Sequence, residues 1–339
     1  MVRLFPRRDA LTTRTAAGVA VAIALALGIA LVGPALVTDS GASQPAAVVE
    51  NVTGVDPAMA APAENGAYLP RSALPPVLEA VGTDHAAGVV PVGEWALVGD
   101  LAASSVPVDG GGVTVVAPAG MEIDPHRKAG FLAAFLSPYT LDPDATDWVT
   151  IAVAPDSLPS AGRMYGDTGY VTQHAFWDGQ AGSVWIHEFI HARQEFALDP
   201  DLRWFTEASA TYLTYRAMEE QYDGVTETDV RDRLAGTTAH PHASLANHSA
   251  GAASRIDYER GTRLLYAVDA EIRAGSDGTH TLFDVFRAMN QREGAVSIDE
   301  FVRIVERHAG RDAEWVGRAI REGGDLDDRI RRAGSVFEG

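Results

Sequence analysis

Two histidines one helical turn apart in an otherwise apolar segment restrict this chain more than any other feature. The segment reads Ser183-Val184-Trp185-Ile186-His187-Glu188-Phe189-Ile190-His191. Positions i and i+4 share a helix face, with Cβ atoms about 5–6 Å apart. Both imidazoles can therefore close on one cation. Zinc takes histidine nitrogen at about 2.0–2.1 Å, which suits that separation. Glu188 lies about 100° round the helix from His187, so it need not ligate and can reach a water held at the ion. This is the H-E-x-x-H arrangement of metallopeptidases. The apolar neighbours Trp185, Ile186, Phe189 and Ile190 predict a buried helix and a dry wall for the site.

Two histidines leave zinc short of ligands. A third is expected from a nearby element, with a fourth position open for water. The run Trp204-Phe205-Thr206-Glu207-Ala208-Ser209-Ala210-Thr211-Tyr212 starts just after the Asp199-Pro200-Asp201 break. A short connection makes consecutive helices antiparallel neighbours, and Glu207 falls in the first turn of the second one. Glu195 is the poorer candidate, because three ligands on one helix would crowd one stripe. The chain contains no cysteine, which removes disulfides, thiolate metal sites and thiol nucleophiles. Any metal must be held by His, Asp or Glu. His240, His242 and His248 lie in a polar stretch over 236–254 and could form a second metal site, although solvated loop histidines are the plainer reading.

The pattern around this centre divides. Residues 67–180 read as a strand-rich α/β part, with strands at 112–117 and 148–153, a helix over 125–136, and an edge strand over 170–177 ending at Asp178-Gly179. Residues 181–339 read as a helical, zinc-binding part, with apolar residues at helix spacing in 183–197, 205–221, 227–235, 257–273, 281–290, 297–308 and 312–321. Strands followed by helices predict an α+β fold. Residues 39–66 are rich in Ala, Pro and Gly, lack any period, and read as a disordered linker.

The two site segments together resemble the gluzincin metallopeptidases of the peptidase MA superfamily, and within them the M1 and M61 aminopeptidase type. A further stretch, Asp257-Tyr258-Glu259-Arg260-Gly261, is similar to the Y-x-K-G segment of that type, with Arg for Lys. The resemblance covers roughly residues 148–310. It implies a thermolysin-like zincin catalytic domain and one zinc ion on His187, His191 and Glu207. It also implies Glu188 as general base, Tyr258 as hydrogen-bond donor to the oxyanion, and a peptide or protein substrate. The 170–177 strand is expected to bind that substrate by strand addition. Two departures stand out: Ala208 replaces the usual Gly, and the gap from His191 to Glu207 is shorter than in the M1 group. The M1 G-x-M-E-N segment, whose Glu grips a free amine, compares with Gly162-Arg163-Met164-Tyr165-Gly166-Asp167. No Glu occurs between Glu122 and Glu188, so endo- versus aminopeptidase action stays open, with Asp167 as a conceivable substitute. The rival reading is a catalytically inactive zincin-fold binding protein. Retention of Glu188 argues against it.

Residues 16–37 carry no charge and follow Arg3, Arg7, Arg8 and Arg14. At 1.5 Å per residue the run can cross a bilayer core of about 30 Å. Residues 1–38 are thus expected to be a signal-anchor or an export signal. That places the catalytic part outside the cell, membrane-anchored if uncleaved and secreted if cleaved. The formal charge is −19, and Lys128 is the only lysine. Such acidity disfavours nucleic acid as a partner. It reads as a halophilic adaptation of the haloarchaeal kind, with a high-GC codon bias as the alternative.

Overall fold

The computed structural model describes residues 61–63, 66–70, 88–108, 111–136, 148–156, 158, 160–175, 182–222, 224–235, 240, 242–246 and 255–337. The expected membrane or export segment lies outside them, as do His248 and most of the 236–254 stretch. Among the described residues no helix is long and apolar enough to cross a membrane.

Strands come first. β1 (Ala61–Ala63), β2 (Gly66–Pro70), β3 (Val89–Val92) and β4 (Trp95–Gly99) form an antiparallel sheet in the order β1-β2-β4-β3. β1 thus falls at the end of the stretch expected to be a linker. A second sheet has the order β5-β6-β7-β9-β8, from β5 (Leu101–Val108), β6 (Gly111–Pro118), β7 (Trp148–Ala154), β8 (Gly162–Tyr165) and β9 (Thr168–Thr172). β6–β7 and β7–β9 are parallel, whereas β5 and β8 run antiparallel at the edges. Alternate residues point to opposite faces of a strand. Val113, Val115, Val149, Ile151 and Val171 face the main core with the helices, while Val116, Ala152 and Tyr170 face Val90, Val92 and Leu97 of the small sheet. Being covered on both faces explains why β6 and β7 read as continuous apolar runs.

The sheet edge is not the strand expected at 170–177. β9 stops at Thr172 and lies inside the sheet, and the edge is β8. β8 and β9 are joined by the tight turn Gly166-Asp167, with Gly166 at φ 73°, a region glycine enters without steric cost.

The helical part follows. Helix α1 (Pro125–Leu136) packs on the sheet, and α2 (Val184–His191) carries the histidine pair. A single 3-10 turn (Pro200–Leu202) leads into α3 (Trp204–Gln221) and α4 (Glu227–Ala235). A π-helical turn (Asp257–Gly261) runs directly into α5 (Thr262–Gly275). Then come α6 (Leu282–Asn290), α7 (Ile298–Ala309), α8 (Glu314–Glu322) and α9 (Asp327–Phe337). α2 ends six residues earlier than its apolar period suggests. Phe196 leaves the helix to pack edge-on against Phe205 and Phe286, at centroid distances of 5.5 and 5.3 Å. Asn290 holds the departing backbone, accepting from Glu195 N at 3.1 Å and donating to Arg193 O at 2.8 Å. Glu195 is exposed and off the histidine stripe.

Candidate metal centre

Ser183 caps α2, its hydroxyl accepting from the Ile186 amide at 3.4 Å. Trp185 and Ile186 are fully buried and anchor the helix between sheet and α3. Burying side chains of this size contributes about 1.5–3 kcal/mol each. Anchored in this way, the helix presents His187 and His191 to the first turn of α3, where Glu207 faces back.

Three ligand atoms converge. His187 Nε2 and His191 Nε2 are 3.0 Å apart, and Glu207 Oε2 lies 3.3 and 3.2 Å from them. Donors on a tetrahedral zinc at about 2.0–2.1 Å stand roughly 3.3 Å from one another. The triangle therefore has the size of one zinc coordination face. Among the described residues this is the one group of three or more His, Asp or Glu able to share an ion. His240 and His242 belong to no such group.

Burial opposes charge on all three ligands, and the outcome differs at each. His187 is driven below the ordinary imidazole value, with Glu207 pulling the other way. His191 is also penalised by burial, but Glu207 and Gln194 outweigh this and raise it. Glu207, despite burial, is held well below the usual carboxylate range by hydrogen bonds from both rings. An ionised carboxylate beside a neutral His187 is the donor set a divalent cation requires.

Gln194 was not anticipated from sequence. His191 Nδ1–H donates to Gln194 Oε1 at 2.9 Å, and Gln194 Nε2 donates to Thr206 O at 2.7 Å. This fixes the tautomer of His191 with Nε2 turned to the centre. Its place three residues after His191 is a signal that sequence reading could have used.

Glu188 is buried against β8. Its carboxyl is pushed up to about 7, chiefly by desolvation, with His191 and Arg163 acting in the opposite direction. A Cβ at Gly162 would stand 2.6–2.9 Å from the Glu188 side chain, so glycine is required there by close approach. Tyr258 projects from the π-helical turn, its ring stacked on His187 at 6.0 Å and 24°. Burial first, then Glu207, raises its hydroxyl above the usual phenol value. The turn sits close to α3 because Gly261 has no side chain: a Cβ there would meet Ala208 Cβ at 2.7 Å. Single π-turns within helices recur at functional sites.

His187, Glu188 and Tyr258 line one cleft of about 650 Å³. All five residues expected at the site are thus brought together. Asp167 is not among them. It is exposed in the β8–β9 turn, where its carboxylate accepts from Thr168 Oγ1 at 3.2 Å.

No protein-family model matches the chain, and no curated protein matches it in sequence. Solved structures do. An M1 zinc metallopeptidase from Deinococcus radiodurans superposes with a TM-score of 0.51 at 20% identity, over 68% of this chain and 53% of that one. A mutant of it bound to a Tyr-Ser-Ala substrate gives 0.50 over the same shares. An aminopeptidase N family protein from Idiomarina loihiensis gives 0.54 at 15% identity, over 70% and 50%. The chain has the mixed fold of these zinc peptidases, strand-rich first and helical after. It spans about half the length of the structures it matches.

Proposed function

We propose that the chain is a zinc metallopeptidase that hydrolyses peptide bonds of extended substrates. The observation that carries this reading is the triangle of His187, His191 and Glu207, with Glu188 and Tyr258 facing the same cleft. A zinc ion held by those three ligands supplies a Lewis acid for the scissile carbonyl and lowers the pKa of its water towards about 7. Glu188 takes a proton from the attacking water on a carboxylate oxygen and delivers it to the leaving amine. Desolvation favours this, because it raises the proton affinity of Glu188 towards neutrality. Tyr258 keeps its proton and donates a hydrogen bond to the carbonyl oxygen as negative charge develops there.

β8 supplies the rail. Among the described residues nothing pairs with its outer edge, and its first residue touches Glu188. An extended peptide adds there through backbone hydrogen bonds. β8 brings no carboxylate to the cleft, where among the described residues Glu259 is the only acid besides Glu188 and is engaged by Arg255. Cleavage need not then depend on a free amino terminus.

Glu188→Gln is expected to lower hydrolysis of a peptide library by about 10²–10⁴-fold while retaining one zinc per chain by metal analysis. Full activity in this variant, or a wild-type protein that binds no zinc, refutes the reading.

A further inference from the structure

We propose that the cleft beside the metal centre is a carboxylate-binding subsite, formed by Arg233 and Arg255, that selects substrates with a negative charge close to the scissile bond. The inference rests on the peptidase reading and names its substrate class. The cleft holds about 650 Å³, room for a side chain and the backbone that carries it. Val184 from the start of α2 forms one wall. Thr211 and Tyr215 of α3 form another, Arg233 comes from the last turn of α4, and Arg255 and Glu259 flank Tyr258.

The cleft lining is charge-balanced, Arg233 and Arg255 against Glu188 and Glu259, where the molecule as a whole is strongly acidic. Asp and Glu number 46 against 27 Lys and Arg, so the average surface repels a carboxylate. Two guanidinium groups nevertheless line the cleft that holds the proposed catalytic pair. Arg233 is exposed, and among the described residues no carboxylate pairs with it. Arg255 gives its Nε–H to Glu259, which neutralises that acid locally. Its two terminal amino groups stay available, and its side chain is 74% exposed. A planar guanidinium matches a carboxylate with paired hydrogen bonds. A role for Arg233 at the C-terminal end of the α4 dipole does not require it to face this cleft.

The source of the carboxylate is a Glu or Asp side chain or the free carboxyl terminus of a short peptide. Binding to the zinc-loaded, full-length Glu188→Gln variant, measured by calorimetry, keeps every substrate intact. One arm uses an Ala/Phe hexapeptide with a single Glu, or its Gln counterpart, placed at each position in turn. The other arm compares a free with an amidated carboxyl terminus. The charged member of at least one pair is expected to bind about 10-fold tighter, in line with a charge-assisted hydrogen bond. Arg233→Ala and Arg255→Ala should each reduce that preference, and the double change to Glu should turn it towards Lys-containing peptides. Both side chains are exposed, so these changes spare the fold. Equal binding within every pair, or a preference that survives both Ala variants, overturns the proposal. Wild-type hydrolysis without charge preference removes the subsite alone. Charge-selective binding without any wild-type hydrolysis removes the peptidase reading alone.

Discussion

At Glu188 a carboxylate is kept from water by the close approach of Gly162, and this has a measurable cost when no cation is near. Its folded value, about 7, lies above the ordinary glutamate value of 4.5, so the metal-free fold prefers the protonated form. That contribution is intact below about 4.5 and lost as pH rises through about 7. At about 1.4 kcal/mol per pK unit, the loss is roughly 3 kcal/mol. Metal-free Glu188→Gln, neutral at every pH, is expected to match the metal-free wild type near pH 4.5 and to exceed it by about 2–3 kcal/mol at pH 8. Urea unfolding at the two pH values measures this, and parallel pH profiles would falsify the assignment. His187, Glu188 and His191 could be read from sequence because helix period relates them, and Glu207 because it lies in the first turn of the next helix, although the connection over 192–203 is longer than expected. Gln194 and Gly162 act through space, on contacts no local pattern encodes.

Between elements, Asp269 of α5 is the main polar fastener. It is buried, accepts from Tyr212 of α3 at 2.6 Å and from the Leu282 amide that opens α6 at 2.6 Å, and pairs with Arg273 at 3.0 Å. A second buried set joins α3, α4 and α5: Glu227 accepts from Arg216 at 2.9 Å and from Tyr266 at 2.5 Å. Tyr212→Phe deprives a buried carboxylate of one donor and is expected to cost about 1–3 kcal/mol, with zinc content unchanged. A thermal shift within error of wild type would show that water or Arg273 makes good the loss. The helices from 204 to 322 were legible to within a residue or two, since each has one apolar stripe and a clear breaker; α9 was not, because its polar sequence buries only Ile330, Ala333 and Gly334. The end of α2 was not legible either, because the apolar Phe196 that continues its stripe in sequence belongs to a distant aromatic cluster. The edge strand was misplaced for a similar reason. The strand at 168–172 is apolar enough to be interior, while Gly162-Arg163-Met164-Tyr165 has no alternation to announce a strand.

For the molecule as a whole, a net charge of −19 makes the folded state repel itself, and salt screens that repulsion. Melting temperature is expected to rise between 0.1 and about 2 M KCl; a fall over that range would favour codon bias as the origin of the acidity. Binding of zinc to the folded state alone adds about 4 kcal/mol at a thousandfold excess over Kd, so chelator should lower the melting temperature and zinc restore it. The division into a strand-rich and a helical half was legible because short apolar runs between turn residues give way to a 3.6-residue period near residue 181. Its meeting line has a further implication. A row of unpaired amides and carbonyls that can receive a substrate is equally adhesive towards a second copy of the same strand. β8 spans only four residues and includes the charged Arg163, which leaves too little length and too much charge for end-to-end polymerisation. The reach of each docked peptide is limited by the same brevity, so affinity must come mostly from the metal and from side-chain pockets.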